Sequence, residues 1–429
     1  MLPRVLISAD RSGSGKTLVT AGIMKALSKR MRVSGFKTGP DYIDTGYHRI
    51  ATGKPSINLD LFMMGEDGVL KSLVKYSRGS DISIIEGVMG LYDGHGIEYS
   101  TYRLSQVTRT PIILILDCSS MGATAAALIH GLKNFGNADI RGVIFNKIAS
   151  ESHYSYCKEK VVDAKVLGYI PRINFSVPSR HLGLFTVETY NKAMEAVEEM
   201  SKQVESFVDL DEIVDIANTA SDIDVNLEEE VPSSKKGIVA VAYDSAFSFY
   251  YQENLDIIGK SYAIKLFSPI RNEKVDEADL IYLGGGYPEL FPKELSESHS
   301  TINWIKRSVY TGIPIIAECG GLMYLSSYIK TKDGKFHMAG VYDIGISMNK
   351  LTLGYRVVDV LEDIPLGRAG DVIRGHEFHA SSPDYVNEKR FTLKHRNGKG
   401  IEDGLDGVRV NNAIGSYLHV HLAGLRLSL

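Results

Sequence analysis

Short β-branched runs that alternate with longer helix-compatible stretches constrain this chain more than any other feature. Val5 to Ser8, Val33 to Phe36, Ile82 to Ile85, Ile112 to Leu116 and Gly142 to Phe145 read as strands, while Thr17 to Arg30 and Ala123 to Phe135 suit helices. Apolar strands joined by helix-length crossovers build a parallel sheet wrapped by helices. A second series opens at Gly237 and continues with Leu280 to Leu283 and Pro314 to Ala317. Two such series in 429 residues exceed one ordinary core. The predicted class is therefore α/β in two domains, over 1–190 and 237–429, joined by a helical and acidic connection over 191–236. That connection is read from DLDEIVDIANTASDIDVNLEEEVPSSKKG, whose acidic run and Pro-Ser-Ser-Lys-Lys-Gly ending suit an exposed segment.

Composition closes off several alternatives. With 44% hydrophobic and 23% charged residues the chain can fill sizeable interiors, which excludes disorder as its main state. A net charge of −4 provides no chain-wide field for nucleic acid or an anionic membrane, so anions must be held locally. Arg11, Lys37 and Arg49 are the expected local basic patch. No run is long enough to span a bilayer, and the first residues lack a secretory apolar core. The three cysteines, Cys118, Cys157 and Cys319, are far apart and form no CxxC spacing. A reducing, cytoplasmic setting is the expectation, with neither nucleic acid nor membrane as a partner.

Ala9-Asp-Arg-Ser-Gly13-Ser-Gly15-Lys16-Thr17 follows a strand and opens a helix, the setting of a phosphate-cradling loop. Gly13 and Gly15 let backbone amides approach phosphate oxygens, Lys16 supplies a cation, and the Thr17 hydroxyl suits Mg²⁺. Asp10 stands where the loop usually has its first glycine. Two more loops leave predicted strands, Lys37-Thr-Gly-Pro-Asp-Tyr-Ile-Asp44 and Glu86-Gly-Val-Met-Gly-Leu-Tyr-Asp-Gly94. Ligands collect at that end of a parallel sheet. A hard cation takes a few carboxylates beside phosphate oxygens, so Asp41 and Glu86 are the expected Mg²⁺ ligands with Thr17, and Asp93 and Asp44 are second choices.

In the second half Pro314-Ile-Ile-Ala-Glu-Cys319-Gly-Gly-Leu-Met-Tyr is an apolar strand broken by a cysteine, two glycines and a helix-like run. This is the pattern of a nucleophile elbow, in which the following helix N-terminus is expected to lower the thiol pKa. The base must come from elsewhere in the chain. Ser416-Tyr-Leu-His419-Val-His421 supplies two histidines, which share a face if the segment is a strand, and spacing does not choose between them. Gly284-Gly-Gly-Tyr-Pro-Glu follows a strand and could aim amides at an oxyanion. Gly375-His-Glu-Phe-His379 invites a metal reading, but its spacing is not His-Glu-x-x-His, and an interface or structural role is preferred.

These segments, in this order, resemble the cobyrinate a,c-diamide synthase family over essentially the whole chain. The resemblance rests on Ser12-Gly-Ser-Gly-Lys-Thr17, Gly39-Pro-Asp-Tyr-Ile-Asp44, Glu86 to Asp93, Ala317-Glu-Cys-Gly-Gly-Leu-Met-Tyr324, Gly375 to His379 and Ser416-Tyr-Leu-His419. It implies a dethiobiotin synthetase-like P-loop domain that binds ATP and Mg²⁺, followed by a class I glutamine amidotransferase-like domain. It further implies that Cys319 attacks the amide of L-glutamine with His419 as its base, which resolves the choice of histidine. His421 stands where many related glutaminases carry a glutamate. The resemblance also implies that Asp41, Glu86 and Asp93 serve Mg²⁺ and acyl-phosphate chemistry and that Tyr42 and Ile43 touch the tetrapyrrole. Asn146 takes the place where related synthetases read adenine.

The implied reaction is ATP- and glutamine-dependent amidation of the a and c acetates of cobyrinate, with ammonia passed between the domains. Ni-sirohydrochlorin is the nearest rival substrate, and a P-loop ATPase switch is the rival of another class. A switch has no use for Cys319 or a late histidine. A homodimer is left open.

Overall fold

The computed structural model describes residues 2–173, 187–227 and 235–425. The chain divides into two compact units, Met1–Glu229 and Glu230–Leu429. Part of the predicted connection, residues 228–234, lies outside the described residues.

The first unit is built on seven strands: β1 (Arg4–Ala9), β2 (Val33–Thr38), β3 (Ile57–Leu59), β4 (Ile82–Glu86), β5 (Ile112–Asp117), β6 (Ile140–Ile148) and β7 (Lys165–Pro171). They run parallel in the order β3-β2-β4-β1-β5-β6-β7. The apolar runs read from the sequence are the buried central strands, for Val5, Ile7, Ile84, Ile113 and Ile115 have no exposed surface. β1 sits centrally between β4 and β5, so the loops after β1, β2 and β4 meet at one sheet edge. Register places Glu86 beside Ile7 on one side and Lys37 on the other.

The sequence reading sets residues 191–236 apart as a connection, and the structure differs. Helices Val187–Phe207 and Leu210–Asn218 belong to the first unit's core, where Ala193, Val197, Val204, Ile213 and Ala217 are fully buried. Gly22 explains the close approach, since a Cβ there would lie 2.5 Å from Met200 Cγ. Glu195, Glu205, Asp211 and Asp215 of these helices face outward, and the apolar residues recur at helical spacing.

The second unit carries a parallel series, β8 (Gly237–Ala242), β9 (Tyr262–Phe267), β10 (Leu280–Leu283) and β11 (Ile315–Glu318), followed by a largely antiparallel set. The latter comprises β12 (Tyr328–Thr331), β13 (Gly334–His337), β14 (Ile344–Val360), β15 (Val372–Val386), β16 (Phe391–His395), β17 (Leu405–Val410), β18 (Ala413–Ser416) and β19 (His419–Val420). β11 lies between β10 and β18, parallel to both, while β19 pairs antiparallel with β15. The ends of β10, β11 and β18 thus bring three loops together. Among the described residues no helix is long and apolar enough to cross a membrane.

Candidate functional sites

In the first unit the phosphate loop follows β1. Gly13 and Gly15 hold φ of 80° and 85°, conformations that side chains resist. Gly13 faces open space, whereas a Cβ on Gly15 would stand 2.4 Å from Asn146 Nδ2. Asn146, at the β6 turn, donates to the Ser14 carbonyl at 2.7 Å and accepts from the Lys147 amide at 2.9 Å. Its carboxamide therefore braces the loop from beneath. Asp10, in place of the usual glycine, accepts from the Ser14 hydroxyl at 2.7 Å and pairs with Arg11.

Lys16 donates to the Met89 carbonyl at 2.9 Å, and Thr17 Oγ1 donates to Glu86 Oε1 at 2.9 Å. These contacts tie the loop after β1 to the loop after β4. Glu86 is fully buried. Its Oε1 also accepts from Lys37 Nζ at 2.9 Å, and its Oε2 lies 2.6 Å from His48 Nε2. Burial pushes its carboxyl up, but the Lys37 ammonium and the His48 hydrogen bond prevail and hold it well below the usual range.

Lys37 is locked 2.6 Å from Asp44 as well, and it is 1% exposed. The expected surface patch of Arg11, Lys37 and Arg49 is thus corrected: the register of β2 against β4 turns Lys37 into the interior. Burial and repulsion from Asp41 raise the Asp44 carboxyl to about 6 in spite of Lys37. Asp41 Oδ1 accepts from the amides of Ile43 and Asp44 at 2.8 and 3.0 Å, so it caps the helix Asp44–Thr52. Three carboxylates, Asp41, Asp44 and Glu86, gather around the buried ammonium of Lys37. With the Thr17 hydroxyl they form an oxygen-rich group of the donor type a hard divalent cation takes, with the Lys37 ammonium already paired to Asp44 and Glu86 inside it.

Tyr42 and Ile43 are half-buried, and Ile43 packs on the core beneath. Asp93 is exposed and accepts from the Gly90 amide at 3.2 Å, beside the Asp10 backbone. Sequence reasoning assigned no role to His48 and misplaced Lys37. The partner of Lys37 is set by the pairing of β2 with β4, which the sequence does not announce. A single helical histidine gives no signal.

In the second unit Cys319 has φ 47° and ψ −92° between β11 and the helix Gly320–Leu325. A non-glycine residue there stores on the order of 1–3 kcal/mol of strain, held by the structure around it. Space requires glycine at Gly321, where a Cβ would meet the Leu283 carbonyl at 2.4 Å, and is tight at Gly320, where one would stand 3.1 Å from the Gly286 nitrogen. The elbow therefore packs directly on the Gly284–Gly286 turn after β10. Cys319 Sγ points to the Phe378 carbonyl on β15 at 3.6 Å.

The expected lowering of the thiol is overturned. Burial pushes Cys319 well up, and the carboxyls of Glu289 and Glu318 add to it, outweighing the Gly320 amide. A helix of six residues provides too little dipole to reverse this.

His419 is fully buried, with Nδ1 3.5 Å from Glu318 Oε2. A Cβ on Gly285 would come within 2.4 Å of its Cε1, and His376 stacks on its other side with centroids 4.9 Å apart. Cys319, the glycine turn and His419 are thus brought to one place. Asp406 holds the end of β18 just before the histidine, accepting from Ser416 Oγ at 2.9 Å and from the Tyr417 amide at 3.3 Å.

His421 lies apart. Burial pushes it down to about 3, its Nδ1 accepts from the Ala423 amide at 3.4 Å, and its ring lies 5.0 Å from Tyr251. His376 meets the Tyr251 hydroxyl at 2.6 Å, and His379 stacks on Tyr417. Neither belongs to the metal-like group among the described residues, Glu377, His395 and Asp406. In that group Arg356 pairs with Glu377 at 2.5 Å and His395 meets Asp406 at 3.0 Å.

Residues 5–184 match the CobQ/CobB/MinD/ParA nucleotide binding domain, and residues 238–426 match the CobB/CobQ-like glutamine amidotransferase domain. Together they define a glutamine-dependent amidotransferase of the ligase class. The chain is 52% identical to the cobyrinate a,c-diamide synthase of Sulfurisphaera tokodaii, over 99% of this chain and 98% of the relative. It is 52% identical to that of Saccharolobus solfataricus over the full length of both, and 41% identical to that of Methanocaldococcus jannaschii over 98% and 96%. The chain belongs to the cobyrinate a,c-diamide synthase family.

Proposed function

We infer that the chain amidates the a and c acetate carboxylates of cobyrinate, using ATP, Mg²⁺ and glutamine. The observation that carries this is the coexistence, in a member of the family, of the Thr17–Glu86–Lys37 cluster with a Cys319 elbow packed on the same glycine turn that abuts His419.

A carboxylate resists ammonia because its carbon is a poor electrophile and its oxygen a poor leaving group. Transfer of the γ-phosphoryl of ATP to that oxygen removes both obstacles by making an acyl phosphate. Gly13 and Gly15 admit the phosphates, and Lys16 neutralises charge as it moves. Thr17, Asp41 and Glu86 would hold Mg²⁺, which supplies further neutralisation when bound. Glu86 stays ionised for this task because Lys37 and His48 stabilise its charge. Asp93, Tyr42 and Ile43 are proposed to face the tetrapyrrole, and Asn146 to support the nucleotide through the loop it braces.

In the second unit the Cys319 thiol would pass its proton to His419 as sulfur attacks the glutamine amide. Ammonia leaves, and water releases glutamate from the thioester. Amides of Gly285, Gly286 and Gly320 would receive the oxyanion. The raised thiol suits this order, since sulfur is deprotonated only as the base takes its proton.

A mass-spectrometric assay with ATP, Mg²⁺ and glutamine, offering cobyrinate and Ni-sirohydrochlorin in competition, tests the substrate. Diamide formed from cobyrinate in preference supports the reading. Diamide formed mainly from the nickel compound would transfer the same residues to another pathway.

A further inference from the structure

We propose that Glu318, the residue immediately before the nucleophile, is the acid that orients His419. The proposal rests on the glutaminase roles assigned above to Cys319 and His419.

The residue two places after the histidine, a glutamate in many related glutaminases, is here His421, which is buried and neutral. The acid against it, Glu253, lies 3.9 Å from its Nε2. Glu318 instead comes from the strand alongside. It closes β11, and its cross-strand partner is Ser416, three positions before His419. That register carries Oε2 to within 3.5 Å of His419 Nδ1. Oε1 accepts from the Tyr282 hydroxyl at 3.1 Å, which holds the carboxylate from its far side. The Glu318 side chain is 5% exposed and His419 is 0%, so water screens the pair little. Gly285 and His376 flank the ring, leaving little room for it to turn away from the carboxylate.

The other titratable groups against His419 do not compete. His376 and His379, both on β15, are held neutral chiefly by burial, with Arg356 behind them. Glu377, next to His376, is engaged with Arg356. An Nδ1–H donated to Glu318 fixes the tautomer in which Nε2 is the base, and the carboxylate stabilises the imidazolium once the thiol proton has moved. At 3.5 Å the contact is an ion pair rather than a short hydrogen bond, and catalytic contacts of this kind often tighten in the Michaelis complex. Acid and nucleophile occupy adjacent positions, so the base is aligned by the same strand end that presents the sulfur.

The test is Glu318→Gln in the full chain, measured beside Cys319→Ala and His419→Ala. For Glu318→Gln the expected result is a fall of about 100-fold or more in kcat for glutamine hydrolysis, as for other orienting acids, with KM for glutamine changed less than about 3-fold. The acid limb of the pH profile should move to lower pH, because a neighbouring anion favours the protonated imidazole and its loss releases the proton earlier. Ammonia-dependent amidation by the same preparation should be retained, which shows that it is folded. Glu318→Asp, which keeps the charge but shortens its reach, should recover part of the loss and part of the limb, and it decides the matter if Glu318→Gln does not fold. Wild-type kcat in Glu318→Gln, or a fall with the acid limb unmoved and no recovery by aspartate, would overturn the proposal. If Cys319→Ala or His419→Ala still hydrolyses glutamine, the underlying assignment fails instead.

Discussion

Lys37 and Glu86 are cross-strand partners on β2 and β4, and the Lys37 ammonium lies 2.9 Å from Glu86 Oε1 in a site closed to solvent. The same ammonium is 2.6 Å from Asp44. Lys37→Met would leave two buried carboxylates without their cation. Loss of one partner from a buried pair costs about 3–5 kcal/mol, and chemical denaturation of the first unit should show a loss of that size. A change below about 1 kcal/mol would mean that water or another cation already serves these acids.

The pH dependence of the same cluster has a definite sign. Asp44 has an ordinary value of 3.8 and is raised to about 6, so the folded state binds its proton more readily than the unfolded chain. Its destabilising contribution is fully present above about pH 6 and is relieved as the pH falls toward 3.8. Glu86 acts oppositely, stabilising above its ordinary 4.5 and losing that contribution only in stronger acid. Wild type should therefore gain about 1 kcal/mol on Asp44→Asn between pH 7 and pH 5, as urea titrations at both pH values would measure. A constant difference between the two proteins would contradict the buried ionised pair.

Two glycines separate the two activities. Gly15→Ala would force a methyl onto Asn146 at a φ of 85°, and ATP hydrolysis should fall at least about 100-fold while glutamine hydrolysis persists. Gly285→Ala would press on His419 Cε1, and the losses should reverse: glutaminase activity falls while ammonia-dependent amidation remains. Steady-state assays of both half-reactions on both variants check the pair.

Cys319 should react slowly with iodoacetamide in the resting enzyme. Burial and the nearby Glu289 and Glu318 raise its thiol, so the alkylation rate should keep climbing through and beyond pH 9 rather than level off near pH 7. Mass spectrometry of the peptide containing Cys319 follows the reaction. A plateau at neutral pH would show a preformed thiolate.

The parts of each site that follow one another along the chain were legible in the sequence. Lys16 and Thr17 announce themselves after β1, and Cys319 does so through the two glycines that its elbow needs. Contacts made across strands were not legible. Lys37 reads as part of a local basic patch because nothing in Lys37-Thr-Gly-Pro says that β4 will set Glu86 beside it. Glu318 read as a strand residue, since its relation to His419 depends on β11 pairing with β18. Ala193, Val197 and Val204 already carried helical spacing, but the acidic composition around them drew the segment into the predicted connection. The long pair β14 and β15, which supplies His376 and Phe378, left little trace because many of its residues are only half-buried and show no clean alternation of burial.

The central claim is that one chain makes ammonia at Cys319 and spends it on a carboxylate activated at the Thr17–Glu86 cluster. Its most direct test is Cys319→Ala with cobyrinate, ATP and Mg²⁺, supplied with either glutamine or ammonium and read by mass spectrometry. The account predicts no diamide from glutamine and wild-type diamide from ammonium. Diamide formed from glutamine by Cys319→Ala would contradict it.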